Sequence, residues 1–355
     1  LKRVDYIKSV GMPRIIEVSE GARKKTRSSV EALGRSSVLM LTGKHVYKTA
    51  GKKTEERLGD LLAKTIFVAK PRVEEVRRIE FDIGFDEIDC VVGVGGGRVL
   101  DVAKVVAADI DAPFISIPST VSHDGLASPV ASFKEEGRPV SISTNPPAAV
   151  LADITVIRNS PIQLIRSGYG DLISNITAVK DWQLGKDLKD EEYNEVAASM
   201  ALMPAQLLLR EAENLDLKNP YHLELLAKGL VLSGVTISIV GNSRPVSGAE
   251  HKFSHALDYL GYGTGLHGEQ VAIGTIIIEY LHEKAYGIGD WELIKKSLES
   301  IRAPTTAKEI GLAKTQVVEA LEYAKKIRKK RYTILEDVDP TREDFEIALE
   351  KTRVA

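Results

Sequence analysis

The sequence holds one cysteine, Cys90, among 355 residues. Within one chain no disulfide and no cysteine-built zinc or iron–sulfur site can form, which excludes a disulfide-stapled secreted domain and fits a reducing, intracellular compartment. An excess of charge of one sign is also missing: 48 Lys and Arg against 50 Asp and Glu leave a formal net charge of −2. With no surplus of cations to hold a phosphate backbone, nucleic acid is not expected as a partner. The longest apolar stretches, Gly229 to Val240 and Val271 to Leu281, reach half the ~20 residues needed to cross a bilayer and are interrupted by Ser, Thr or Glu. No membrane span is expected. The first residues, LKRVDYIKSVGMPR, are charged throughout and lack the apolar core of a secretory signal. A soluble, cytoplasmic protein is expected.

At roughly 100 to 200 residues per domain, the length accommodates two domains. Short runs rich in Val, Ile and Phe recur in the first half at 37–42, 65–69, 88–94 and 114–117, with amphipathic stretches at 72–81 and 99–108 between them. Strand, helix, strand at that spacing predicts a parallel sheet covered by helices, with ligand-binding loops at its carboxyl edge. The segment 128–147, which carries Gly137, Pro139, Pro146 and Pro147, reads as a hairpin or excursion, and 148–153 as the last strand of this half. After Pro161 apolar residues recur at three and four, predicting helices over 171–184, 191–211, 222–240, 268–286 and 317–329. The boundary falls among breakers near Asn159, Ser160 and Pro161. The basic run KKIRKKR, Lys325 to Arg331, reads as a solvated helical face.

The first chemical signal is GVGGGRVLDVAK, Gly93 to Lys104, after an apolar strand and before a helical pattern. Consecutive glycines let backbone N–H groups approach an anion, and the following helix points its positive end at the same place. A pyrophosphate suits that geometry, although the GxGxxG fingerprint is not met because its third glycine would fall on Arg98. A second loop, PSTVSHDG, follows the next strand, and the two would line one cleft.

The second signal is a group of three histidines within seventeen residues: His251 and His255, at i and i+4 of one helical pattern, and His267 past a glycine-rich turn. Imidazoles gathered in this way suit zinc, with His255 open as a ligand, while core or capping histidines are the plain alternative. Asp171, in SGYGDL, is the obvious carboxylate to add, against the competing reading of an N-cap before a helix.

On GVGGGRVLDVAK, PSTVSHDGLASPVAS, SGYGDLISNITAVKDW, SGAEHKFSHALDYL, LHGEQVAIGT and RYTILE, in order from about residue 90 to 335, the sequence resembles a known superfamily. It comprises glycerol dehydrogenase, dehydroquinate synthase and the iron-type alcohol dehydrogenases, and SHDGLASP and RYTILE favour its sn-glycerol-1-phosphate dehydrogenase branch. The resemblance implies a dehydroquinate synthase-like fold: a Rossmann-like α/β nucleotide-binding domain over 1–160 and an all-α metal- and substrate-binding domain over 161–355.

The same resemblance carries metal ligands onto Asp171, His251 and His267 and places His255 beside the substrate instead. Asp124 and Asp171 would also touch substrate. Gly95, Gly96, Gly97, Arg98, Val99, Leu100 and Asp101, together with Ser119, Thr120, Val121, Ser122 and Ser128, would contact the cofactor. Iron-type enzymes carry a histidine four residues after the ligand aspartate, where this chain has Asn175, which favours zinc (Zn2+) over iron. The implied reaction is the reduction of dihydroxyacetone phosphate by NADH or NADPH to sn-glycerol 1-phosphate, the backbone of archaeal membrane lipids. In it His255 would relay a proton and Asp124 hold a hydroxyl. The run LTGKH, Leu41 to His45, ends a strand without the acid that NAD enzymes place on the ribose, so NADPH is expected to serve at least as well as NADH. Lys252, Arg158 and Arg244 are weak candidates for the substrate phosphate, and a homo-oligomer is expected. Glycerol dehydrogenase, a dehydroquinate synthase-like enzyme and a non-catalytic nucleotide-binding or metal-storage protein are the competing readings. The intact set of Asp171, His251, His255 and His267 argues against the last.

Overall fold

Six strands run parallel in one sheet: β1 (Ile15–Ser19), β2 (Val38–Thr42), β3 (Leu62–Phe67), β4 (Cys90–Gly95), β5 (Phe114–Pro118) and β8 (Ala149–Asp153), in the order β1-β8-β5-β4-β2-β3. The computed structural model describes residues 11–84, 86–135 and 138–355; the first ten residues, on which the leader reading partly rests, lie outside the described residues. β2, β4, β5 and β8 are buried along their whole length, whereas the edge strands β1 and β3 are partly exposed. Period-two alternation puts Val38, Met40, Cys90, Val92 and Ile115 into one apolar cluster and Leu39, Leu41, Val91 and Phe114 into another, so both faces of the sheet are covered. β1 was not foreseen. Its polar alternation around Glu17 gives it half a core pattern only, and its pairing partner β8 lies 134 positions on, as Ile15↔Ala149 shows.

The expected hairpin at 128–147 forms as the antiparallel pair β6 (Val130–Glu135) and β7 (Arg138–Ser143). From Ile162 onward the described chain is helical. The cluster that contains Leu39 and Phe114 continues without a break through Tyr169, Leu172, Phe253, Ile273 and Ile277, so sheet and helices share one core. The helix expected over 222–240 forms as Pro220–Val240, capped by Asn219, and contains the apolar run at 229–240. At 21 residues it is long and apolar enough to cross a membrane, but 61% of its apolar window is buried inside the protein, against the Glu195–Arg210 helix. Leu223, Leu226, Ala227 and Leu230 are the core residues that account for its hydropathy.

Cys90 is fully buried in β4, and loss of solvent pushes its thiol up to about 12. The thiolate is the reactive form. Native protein at pH 8 is therefore expected to resist alkylation by iodoacetamide and to take up one equivalent after denaturation, as mass spectrometry would read; labelling of the native protein would contradict the burial of β4.

Candidate active site

The carboxyl edge of the sheet carries the glycine-rich turn. β4 ends at Gly95, Gly96 stands extended as the N-cap (φ −78°, ψ 179°), and the Gly97–Asp109 helix starts immediately. Its free N–H groups and positive end face the loop. Gly95 pairs with Pro118 of β5, and Ser119 N–H donates to the Gly95 carbonyl at 2.9 Å, so the two strand-end loops share one edge. Gly97, Arg98, Asp101 and Ser128 open onto a cleft of 760 Å³ between the sheet edge and the helices. Val99, Leu100 and Val121 turn into the core, so they can offer a cofactor backbone atoms only. Gly95 is buried and Gly96 partly exposed behind the turn. The second loop is tied down from behind: the Ser160 hydroxyl donates to Thr120 Oγ1 at 3.2 Å, and Ser167 Oγ donates to the Ser122 carbonyl at 3.2 Å.

Across the cleft, Asp171, His251 and His267 present ligand atoms that all lie within 4.8 Å of one another. Three elements must approach closely to do this. Gly168 and Gly268 are where they touch: a Cβ on Gly168 would stand 1.8 Å from the Val121 carbonyl oxygen, and one on Gly268 1.8 Å from that of Ser167. Asp171 is not an N-cap. It sits in the last turn of the Ile162–Ile173 helix, whose glycines serve contact, and the next helix, Asn175–Lys189, begins after a break at Ser174. His251 rides on the Ala249–Tyr259 helix, whose start is held by buried Asp181: Asp181 accepts from Ala249 N–H at 2.7 Å and from Ile334 N–H at 2.8 Å. That carboxylate ties the ends of three motifs together, and nothing in the local sequence pattern marks it.

Both imidazoles are oriented from behind. His251 Nδ1 lies 2.7 Å from Glu250 Oε1, and His267 Nδ1 lies 3.2 Å from Ser254 Oγ, which itself donates to Gln270 Oε1 at 2.8 Å. Each Nε2 is left facing Asp171 Oδ1, at 3.6 Å in both cases. With zinc bonds of 2.0–2.1 Å to nitrogen and oxygen, neighbouring ligand atoms of a tetrahedron stand roughly 3.3 Å apart. Two imidazole nitrogens and a carboxylate oxygen, with no thiolate, thus make a donor set that could hold a divalent transition ion with a position left open. His255, four residues on, is half-buried at the cleft wall with its ring 6.3 Å from that of His267, outside the group of three.

The charges follow from this crowding. Burial works against the charged form of His251, but the bonds to Asp171 and Glu250 outweigh it and raise the ring to about 9. Burial, and then the charge on His251, pushes His267 down to about 3. Asp171 is held below the usual carboxylate range because the two imidazoles outweigh its desolvation. Asp124, whose N–H donates to Asp171 Oδ2 at 3.0 Å, is pushed up to about 6 by burial and by Asp171. Burial, and next Arg328, holds His255 well below its ordinary value.

A family model described as iron-containing alcohol dehydrogenase matches residues 17–161. The chain is 58% identical over 348 residues to a glycerol-1-phosphate dehydrogenase [NAD(P)+] of Archaeoglobus fulgidus, covering 98% of this chain and 99% of that one. The chain belongs to the glycerol-1-phosphate dehydrogenase family. Its relative from Methanosphaera stadtmanae carries the same name at 42% identity over 98% of this chain and 99% of its own. Among solved structures, sulfoacetaldehyde reductase from Bifidobacterium kashiwanohense in complex with NAD+ superposes with a TM-score of 0.77 at 16% identity, covering 97% of this chain and 98% of that one. Glycerol dehydrogenase from Schizosaccharomyces pombe gives 0.74 at 16% identity, covering 98% and 93%. These two share the fold.

Four cation readings change once side chains are placed on this family fold. Arg244 is spent on Glu191, with Nε and Nη2 on its two carboxylate oxygens. Lys252 is buried against Glu336. Arg158 is partly exposed on the surface, 3.7 Å from Glu20. The helix expected to run through the basic segment spans Lys314–Ala324 and stops there; 325–330 form turns, with Arg328 in the left-handed region (φ 45°). Lys326, Arg328, Lys329 and Lys330 are exposed as expected, but Arg328 and half-buried Arg331 also line the cleft. A helical reading averages over all faces and cannot see that turn. Asn175, at the position of the iron-type histidine, is also committed elsewhere, donating to the Ala201 carbonyl at 3.1 Å and to Ser233 Oγ at 2.8 Å.

Carboxylates behind metal-binding imidazoles fix the ring and raise its basicity, and their loss costs about 10- to 100-fold in metal affinity. Glu250→Gln is expected to lower zinc affinity by that factor in a competitive chelator titration; an unaltered affinity would remove Glu250 from the site's construction.

Proposed function

We propose that this chain uses NADPH or NADH to reduce dihydroxyacetone phosphate to sn-glycerol 1-phosphate, in the cytoplasm, for archaeal membrane-lipid synthesis. The observation that carries the reading is one cleft of 760 Å³ walled by an anion-ready turn at Gly97 on one side and by His251, His255 and His267 on the other. Residues 1–160 would hold the dinucleotide and 161–355 the metal and substrate. Relatives at 58% and 42% identity bear the name of this activity, and not that of a glycerol dehydrogenase or a dehydroquinate synthase.

The ion best suited to Asp171, His251 and His267 is zinc: nitrogen and oxygen donors fit it, and Asn175 supplies no further imidazole. When bound there it supplies Lewis-acid polarisation of the substrate carbonyl, an effect worth several kcal/mol. The chain's own groups supply the rest. Backbone N–H groups at Gly97 bind the cofactor's phosphates, and Arg98, Asp101 and Ser128 line its path. Asp124 holds the substrate hydroxyl. His255 stands neutral in the free protein, which is the form that takes the hydroxyl proton in the oxidising direction; the same ring returns it in reduction. At the end of β2, exposed Lys44 and the absence of an acid favour acceptance of the 2′-phosphate of NADPH.

Nicotinamide absorbance followed with dihydroxyacetone phosphate is expected to fall, with kcat/KM for NADPH at least equal to that for NADH. Chelation is expected to stop it and zinc to restore it. His255→Asn is expected to lower kcat by roughly 100-fold or more and to alter the pH profile. No turnover of dihydroxyacetone phosphate would defeat the reading, and an unchanged pH profile in His255→Asn would defeat the relay.

A further inference from the structure

Two guanidinium groups at the cleft have no part in holding the cofactor turn or the three metal-facing side chains. Arg328 and Arg331 follow the Lys314–Ala324 helix, and both line the cleft that holds His251, His255 and His267. Among the described residues, neither has a carboxylate within ion-pair distance, whereas Arg244, Lys252 and Arg158 each do. The partners of Arg328 are neutral hydroxyls: its Nη1 lies 3.2 Å from Ser247 Oγ and 3.3 Å from Ser243 Oγ. Arg331 donates from Nη2 to Ser243 Oγ at 2.9 Å and from Nη1 to the carbonyls of Ser247 and Ser243. A guanidinium has five N–H donors, so these bonds orient the two forks and leave donors over. The backbone at Arg328 is held at φ 45°, a left-handed conformation that a non-glycine residue rarely adopts. Burial, and next the charges of Arg328 and Arg244, lowers the proton affinity of Arg331 and outweighs the carboxylates of Glu250 and Glu191.

Two unneutralised guanidiniums, aimed by serines into a cleft, match a doubly charged, three-oxygen anion. We infer that Arg328 and Arg331, set by Ser243 and Ser247, form the clamp for the substrate's phosphate. The inference rests on the proposed reduction of dihydroxyacetone phosphate and names the groups that separate that substrate from unphosphorylated dihydroxyacetone. The distances in the molecule agree with it. In dihydroxyacetone phosphate a single methylene separates the phosphate ester oxygen from the carbonyl, so phosphate and carbonyl must occupy the same part of the cleft. Arg328 and Arg331 line the same cleft as His251, His255 and His267. In the proposed function the cofactor's phosphates take the Gly97 turn, which lines the same cleft and leaves the two arginines to the substrate.

The test compares zinc-loaded wild type with Arg328→Gln, whose only lost bonds in the protein are to hydroxyls, and with Arg331→Lys, which keeps the charge but not the fork. A bond to a charged group carries about 10- to 100-fold in affinity. Each variant is expected to raise KM for dihydroxyacetone phosphate by that factor, with a smaller change in kcat. The ratio of kcat/KM for dihydroxyacetone phosphate over that for dihydroxyacetone is expected to fall by the same factor, and inorganic phosphate to lose its competition with substrate. An unchanged ratio, or a rise in KM for NADPH in place of the substrate's, would overturn the clamp while leaving the reductase reading intact. Should the wild type not reduce dihydroxyacetone phosphate at all, the functional reading fails. Calorimetric binding of inorganic phosphate then decides the clamp: binding lost in Arg328→Gln supports it, and binding equal to wild type overturns it. Circular dichroism of both variants keeps misfolding distinguishable, and Arg331→Lys carries the test if Arg328→Gln does not fold.

Discussion

The structure depends on a buried carboxylate facing two imidazoles. Asp171 is almost wholly enclosed, yet it lies 3.6 Å from Nε2 of both His251 and His267. A second enclosed carboxylate, Glu250, stands behind His251. Burying two acids costs several kcal/mol unless positive charge is brought to them. In the protein alone a proton on His251 serves, which is why that ring is raised to about 9 while its neighbour His267 is driven to about 3. A divalent cation answers the same demand better than one proton does, and the outward tie of each Nδ1 leaves both Nε2 atoms available for it.

Holding this group together constrains much of the helical half. Three backbones converge where Gly168 meets the loop after β5 and Gly268 meets Ser167, and any side chain at these positions would force them apart. Asp181 then binds the start of the His251 helix to the Ile334 segment, and His282 Nε2 lies 3.1 Å from the same carboxylate. The Ile334 segment directly follows Arg331, so the group that positions the imidazoles also sets the cleft-facing end of the basic turn. The placement of the His251 helix and of the turn that carries Arg331 is therefore coupled through one buried acid.

Legibility differed by element for physical reasons. β2, β4 and β5 could be read because strands buried on both faces are continuous apolar runs, and the Gly93–Gly97 turn because several glycines between such a run and a helix have few structural uses. β1 could not, since an edge strand shows only a partial pattern and pairs far along the chain. His251 and His267 stood out by spacing, but Asp171 looked like a cap, because helix-internal glycines are indistinguishable from helix-starting ones until their contact partners are known. The cations failed most plainly. Lys252 and Arg244 looked available and are paired, while Arg328 and Arg331 looked like part of a solvated helical face and, after the helix stops at Ala324, line the cleft, Arg328 still exposed and Arg331 half-buried. Charge in a sequence carries no record of its counter-charge; only the folded chain does.

The claim that one divalent ion is gathered by Asp171, His251 and His267 is tested most directly by zinc K-edge X-ray absorption on the protein loaded with one equivalent of zinc. The account predicts a first shell of nitrogen and oxygen only, with multiple scattering from two imidazoles, and loss of one imidazole in His267→Ala. A sulfur neighbour, or a wild-type spectrum with fewer than two imidazoles, would contradict it.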